Sequence, residues 1–136
     1  MATLAFIDAV VSVDGNDLSS DGTNVTLDYS AEALEKTAFG DTTKIRQGGL
    51  KDWAGTLEFN QDFAASPNPD VDLFAAVGNV VAIALKATSS ATSATNPDYQ
   101  GQALITSYQP FGQGVGELAK ATVTFEAAGN LSRVTS

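Results

Sequence analysis

The sequence contains no cysteine and no histidine. Without cysteine there is no disulfide framework and no thiolate chemistry. Without histidine the commonest general base, the commonest zinc ligand and every Ser-His or Cys-His pair are lost. Catalysis would have to rest on paired carboxylates or a lysine, and no cofactor and no metal are expected. Basic residues are also scarce, 7 against 16 acidic ones, for a net charge of −9. A chain this acidic repels nucleic acid rather than binding it. No apolar run approaches the roughly 20 residues needed to span a bilayer, so no membrane partner is expected. No positively charged segment followed by an apolar run opens the chain, so no secretory signal is expected either. The Asn-x-Ser/Thr triplets at Asn24 and Asn130 then read as chance matches.

With 136 residues and 43% apolar content, the chain can bury one real core, and a single domain over 1–136 is expected. Its charge is unevenly placed. Seven acids, Asp8 through Glu35, precede the first basic residue, Lys36. Four of the seven basic residues (Lys36, Lys44, Arg46 and Lys51) then fall within sixteen positions. The acidity reads either as ordinary solvation or as the surface of a protein that lies beside nucleic acid without adhering.

A period of two dominates the pattern, which places alternate side chains on opposite faces of strands. The longest such stretch, Asp98 to Leu131, reads as an antiparallel hairpin around the Gly-rich turn Gly112–Gly116. Its second arm puts Ala119, Ala121, Val123, Phe125 and Ala127 inward, with Lys120, Thr122, Thr124 and Glu126 outward. Its first arm is irregular: Ala103 and Ile105 share one face, but Leu104 and Tyr108 fall on the other. That arm is either buried on both sides or covered by a partner. From Phe6 to Val13 a strand is expected with Ile7, Ala9, Val11 and Val13 on one face, and from Thr23 to Ser30 one with Val25, Leu27 and Tyr29 inward. Over Lys51–Phe63 the residues Trp53, Leu57, Phe59 and Phe63 share a core face, opposite Asp52, Thr56, Glu58, Asn60 and Asp62. Trp53 follows the alternation, which favours a core role over ligand stacking. Val80–Ala87 repeats the pattern at Val81, Ile83 and Leu85.

One helix is expected, over 68–77. Asn68 caps it, Pro69 takes its first turn, Asp70 and Asp72 complement its dipole, and Gly78 ends it. Val71, Phe74 and Val77 are its expected buried stripe. Asp14–Asn24 is turn chemistry throughout. It fails as a calcium loop, because Leu18 takes the fifth position and no Glu closes it. Ala31–Leu50 shows neither period, passes through Gly40, Gly48 and Gly49, and carries the basic cluster. A stretch of this kind is usually functional or mobile, so an extended, partly disordered arm with its partner outside the subunit is expected. Thr88–Pro97 is a small polar loop without a motif. GQGVG at Gly112–Gly116 lies between strands, not at a helix start, and no lysine follows in the phosphate-loop pattern. Glu58 and Asp62 share a strand face with Thr and Asn, as on a solvated sheet.

At Lys36–Phe59, KTAFGDTTKIRQGGLKDWAGTLEF, and again at Gly101–Gly129, the chain resembles the major tail tube proteins of long-tailed bacteriophages and related gene transfer agents. The most specific parts are FGD, the GGLKDW turn into a strand, and TSYQPFG…VTFEAAG. The likeness extends over nearly the whole chain: strand order, single helix and the long loop after the second strand. It implies a mainly β fold, a β-sandwich with one flanking helix. It also implies six subunits to a ring, and rings stacked into a hollow tube through which DNA passes without specific binding. Other tail proteins (tape measure, terminator, distal tail protein) would be its partners, and the virion tail, assembled in the host cytoplasm, its location. In such a protein Lys36, Phe39, Asp41, Lys44, Arg46 and Lys51 would belong to an arm between rings. Asp28, Glu58, Asp62 and Glu126 would face the lumen, where carboxylates keep phosphates from adhering. Lys120, on the same strand face as Glu126, departs from that pattern. The rival is a free-standing β-sandwich binding or adhesion module, which would have to account for the unanchored arm.

Overall fold

The computed structural model describes residues 9–63 and 69–135. Its strands are β1 (Val10–Val13), β2 (Asn16–Asp17), β3 (Gly22–Glu35), β4 (Arg46–Asn60), β5 (Val80–Lys86), β6 (Asp98–Gln109), β7 (Lys120–Ala127) and β8 (Ser132–Val134). One helix, α1 (Pro69–Ala76), crosses from β4 to β5. Every described pairing is antiparallel, and the ladder runs β2-β1-β5-β6-β7-β4-β3, with β8 on β6 beyond the end of β7. The two halves of a sandwich are here one continuous hydrogen-bonded sheet. It curls so that β1 and β5 share a core with β4 and β7.

That core follows the alternation. Val11 and Val13, Leu57 and Phe59, Val81, Ile83 and Leu85, Ala103 and Ile105, and Ala121, Val123 and Phe125 are all buried. Trp53 joins them: its edge meets the Phe125 ring at 6.1 Å, and its indole N–H donates to the Gly129 carbonyl at 2.9 Å. Two glycines make room for these rings. Gly55 pairs with Leu27 on one side and Phe125 on the other, and a Cβ there would lie 2.6 Å from the Phe125 ring. A Cβ on Gly101 would lie 2.7 Å from the indole of Trp53. Leu18 plugs the core as well, although it sits among turn residues. The Asp14–Gly15 turn, with both residues at positive φ, folds β2 back on β1 and swings Leu18 inward.

Several expectations are corrected, among them Ala119, expected inward but exposed just before β7. Tyr108 is on the core side of β6, not the opposite one. Thr106 is bulged out, so Ile105 pairs with Phe125 and Tyr108 with Val123, and the side-chain phase flips between them. Phe63 lies past the end of β4 at Asn60 and is 56% exposed, so it has no place in the aromatic row of Trp53, Leu57 and Phe59. Val71, Phe74 and Val77 are not the buried stripe of α1. The helix is apolar on both sides, and it docks through Pro69, Leu73 and Ala76. Gly78 does end it, in the left-handed region at φ 83°. Lastly, Ala31–Leu50 is not without structure, since β3 and β4 run on as a hairpin through Glu35 and Arg46. The periodicity is lost there because neither face of the hairpin packs on a core. Asn68, the expected cap, and Phe6 and Ile7 of the first strand lie outside the described residues.

Candidate functional site

Among the described residues the features that set the chain apart are at the surface. The first is the arm. β7 accompanies β4 only as far as Ala54, opposite Glu126, whereas β3 and β4 continue together to Glu35 and Arg46. Beyond Trp53 the hairpin therefore leaves the body of the fold with no third strand among the described residues. Its closing loop is locally fixed. Lys36 N–H donates to the Ile45 carbonyl at 2.8 Å, Ile45 N–H to Thr37 Oγ1 at 2.9 Å, and Ala38 N–H to the Asp41 carboxylate at 2.8 Å. This turn projects Phe39 fully into solvent. Lys36, Lys44, Arg46 and Lys51 are exposed along the arm, with Lys44 4.0 Å from Glu35. Leu34 and Leu50 add exposed apolar surface.

The second feature is the outward face of β3, β4 and β7. Register places Asp28, Ala54 and Glu126 in one row, then Thr26, Thr56 and Thr124, then Asn24, Glu58 and Thr122. Three of the four acids singled out above thus share a face; Glu58 accepts a 3.0 Å hydrogen bond from Asn24 Nδ2. Asp28 and Glu126 are two strand spacings apart, roughly 10 Å, too far to share one small cation. Lys120 sits on this same face opposite Asn60. Asp62 is not on it. It follows the end of β4, accepts from Asp70 N–H through its carbonyl at 3.4 Å, and lies close to Asp21. Partial burial, reinforced by the Asp62 carboxylate, raises the Asp21 pKa above its ordinary value. Among the described residues no group of three or more acids is placed to hold a metal ion.

The third feature was missed by period-two reasoning: a junction where α1, β6 and the β6–β7 loop meet. The Tyr108 hydroxyl donates to Asp70 Oδ1 at 2.9 Å and accepts from Gln61 Nε2 at 3.0 Å, and the same amide reaches the Pro110 carbonyl at 3.0 Å. Phe63 and Phe111 pack ring to ring at 5.8 Å beside it. Around this junction α1 presents Val71 and Phe74 to solvent, the turn after it presents Val77, and the β6–β7 loop presents Val115 and Leu118. The bulge at Thr106 that builds it leaves no sequence signature beyond the broken alternation. A separate apolar hollow of about 470 Å³ opens where β3 approaches β1 and β5, lined by Val25, Leu27, Tyr29, Leu85, Lys86 and Tyr99 among others. Tyr29, expected inward, is 55% exposed at its mouth.

No family model matches the sequence, and no curated protein matches it. Solved structures do match the fold. A chain from the virion of a native gene transfer agent particle superposes with a TM-score of 0.75 at 15% identity, covering 97% of this chain and 99% of that one. The SPP1 tail tube superposes at 0.78 with 11% identity, over 98% and 80%. A chain from the sheath/tube terminator of an extracellular contractile injection system, PVC, in its extended state, gives 0.73 at 16% identity, over 98% and 97%. At these identities the likeness concerns the fold alone. Over nearly its whole length this chain has the mainly antiparallel β fold, with one helix, of the SPP1 tail tube.

Proposed function

We propose that the chain is a structural subunit that joins copies of itself into six-membered rings stacked as the hollow tube of a phage-type tail. What carries this reading is the long edge of β3, open among the described residues and extended into a protruding arm, in a fold shared with a tail tube. Among the described residues β3, fourteen residues long, pairs only with β4, so none of their strands meets its outer row of N–H and C=O groups. An open edge of this length is a template for another strand, and pairing around a ring satisfies it in every subunit. The tail of an empty gene transfer agent particle, solved with C6 symmetry, holds a chain that superposes at a TM-score of 0.64 over 84% of this one.

The other features fit such a tube. The arm carries cations and a bare aromatic outward, toward a neighbouring subunit. The face bearing Asp28, Glu58 and Glu126 lines the lumen, where carboxylates and hydroxyls let DNA pass without adhering. Terminator, tape measure and distal tail proteins meet the tube at its ends, and the protein resides in the virion tail. Its role is mechanical, not catalytic. A binding module would be expected to stay monomeric, so sedimentation velocity across a concentration series separates the readings. Growth from monomer to ring-sized and larger species supports the tube; a monomer at every concentration and at moderate salt overturns it.

A further inference from the structure

We propose that the outward face of α1 is the seat for the arm tip of a second copy of this chain. This rests on the reading that the arm reaches beyond its own subunit, and it names where the arm lands. A short helix docked by Leu73 and Ala76 has no need of apolar residues on its other side, yet Val71, Phe74 and Val77 stand there in water, Phe74 at 75% exposure. Asp70 and Asp72 lie in the same helix, and Asp62 and Asp21 continue the negative charge toward β4. The arm tip is the converse surface. Phe39 is bare at the turn, and Lys36, Lys44 and Arg46 lie on the strand ends and loop that flank it, with Lys44 4.0 Å from Glu35 and Asp41 engaged in capping the turn. An aromatic knob with cations in excess beside it and an apolar stripe flanked by carboxylates thus lie on different parts of one chain.

Two unlike surfaces that fit each other make a heterologous contact, which passes from subunit to subunit instead of closing a pair. The other apolar recess does not suit the arm tip. Among the described residues the hollow between β3 and β5 is lined by Lys86 and by no carboxylate, so it would set cation against cation. Charge complementarity therefore selects α1.

The absence of cysteine makes the contact directly testable. Chains carrying only Phe39→Cys are mixed with chains carrying only Phe74→Cys, assembled and oxidised. Both positions are exposed, so neither change opens the core. The mixed disulfide dimer is expected as the dominant product, with little dimer from either variant alone. As a check on unmodified protein, tubes of mixed isotope-labelled and unlabelled chains are treated with a zero-length carbodiimide. Links between Lys36 or Lys44 of one chain and Asp70 or Asp72 of another are expected. Tubes that form but give neither product, or capture of Phe39→Cys by Val115→Cys instead, overturn this seat and leave the tube reading standing. Failure of the unmodified chain to assemble overturns both.

Discussion

The Tyr108 hydroxyl donates a 2.9 Å hydrogen bond to Asp70 and so ties α1 to the bulged end of β6. Burial, aided by that carboxylate and opposed by Gln61, raises the Tyr108 pKa from 10.0 to about 12. The folded value lies above the unfolded one, so the neutral phenol stabilises the fold. That contribution is complete below about pH 10 and vanishes as pH climbs through about 12. Tyr108→Phe should cost about 0.5–1.5 kcal/mol at neutral pH. In melts followed by the fluorescence of Trp53, the gap between wild type and Tyr108→Phe should close across that alkaline window. A constant gap would mean the hydroxyl is not engaged.

Gly55 offers a sharper test of the curled sheet. An alanine there would drive its Cβ into the Phe125 ring and the Thr26 carbonyl at once. Backbone cannot yield as a flexible side chain can, so Gly55→Ala should destabilise by about 3 kcal/mol or more in chemical denaturation. A loss below about 1 kcal/mol, the usual size for an ordinary point change, would mean that β3, β4 and β7 do not approach as described.

How far the sequence revealed this structure depends on the physical signal each part sends. The rows at Leu57 and Phe59, or Val123 and Phe125, were legible because one face meets core and the other water. Trp53 was legible for the same reason. α1 was legible in extent, but its stripe was misassigned: with Val71, Leu73, Phe74, Ala76 and Val77 all apolar, helical spacing alone cannot choose a face. Tyr108 was misplaced because a bulge changes the phase without changing the composition. The hairpin over Ala31–Leu50 was invisible because period-two patterning marks a strand only when one of its faces is buried. Leu18 was hidden among turn residues that carry no period at all. Of the candidate lumen acids, Asp28, Glu58 and Glu126 came together because they lie within paired strands, whereas Asp62 left the row when β4 ended.

The acidic face can be reversed without touching the core. Asp28→Lys, Glu58→Lys and Glu126→Lys together should leave the fold intact, since Asp28 and Glu126 are exposed, Glu58 is half-buried with only a surface hydrogen bond to Asn24, and changes of this kind typically matter by no more than about 0.5 kcal/mol each. Assembled tubes of this variant should retain short DNA at low salt and release it at high salt, as counterion release requires, while wild-type tubes retain none. Unchanged retention would place these side chains away from the channel. A variant that fails to fold would make them structural.

The central claim is the hollow tube itself, and electron microscopy of the unmodified protein at rising concentration tests it most directly. End-on views of six-fold rings with an open centre, and side views of those rings stacked into tubes, are expected. Particles that stay the size of one subunit at every concentration, or assemblies without a central channel, would contradict it.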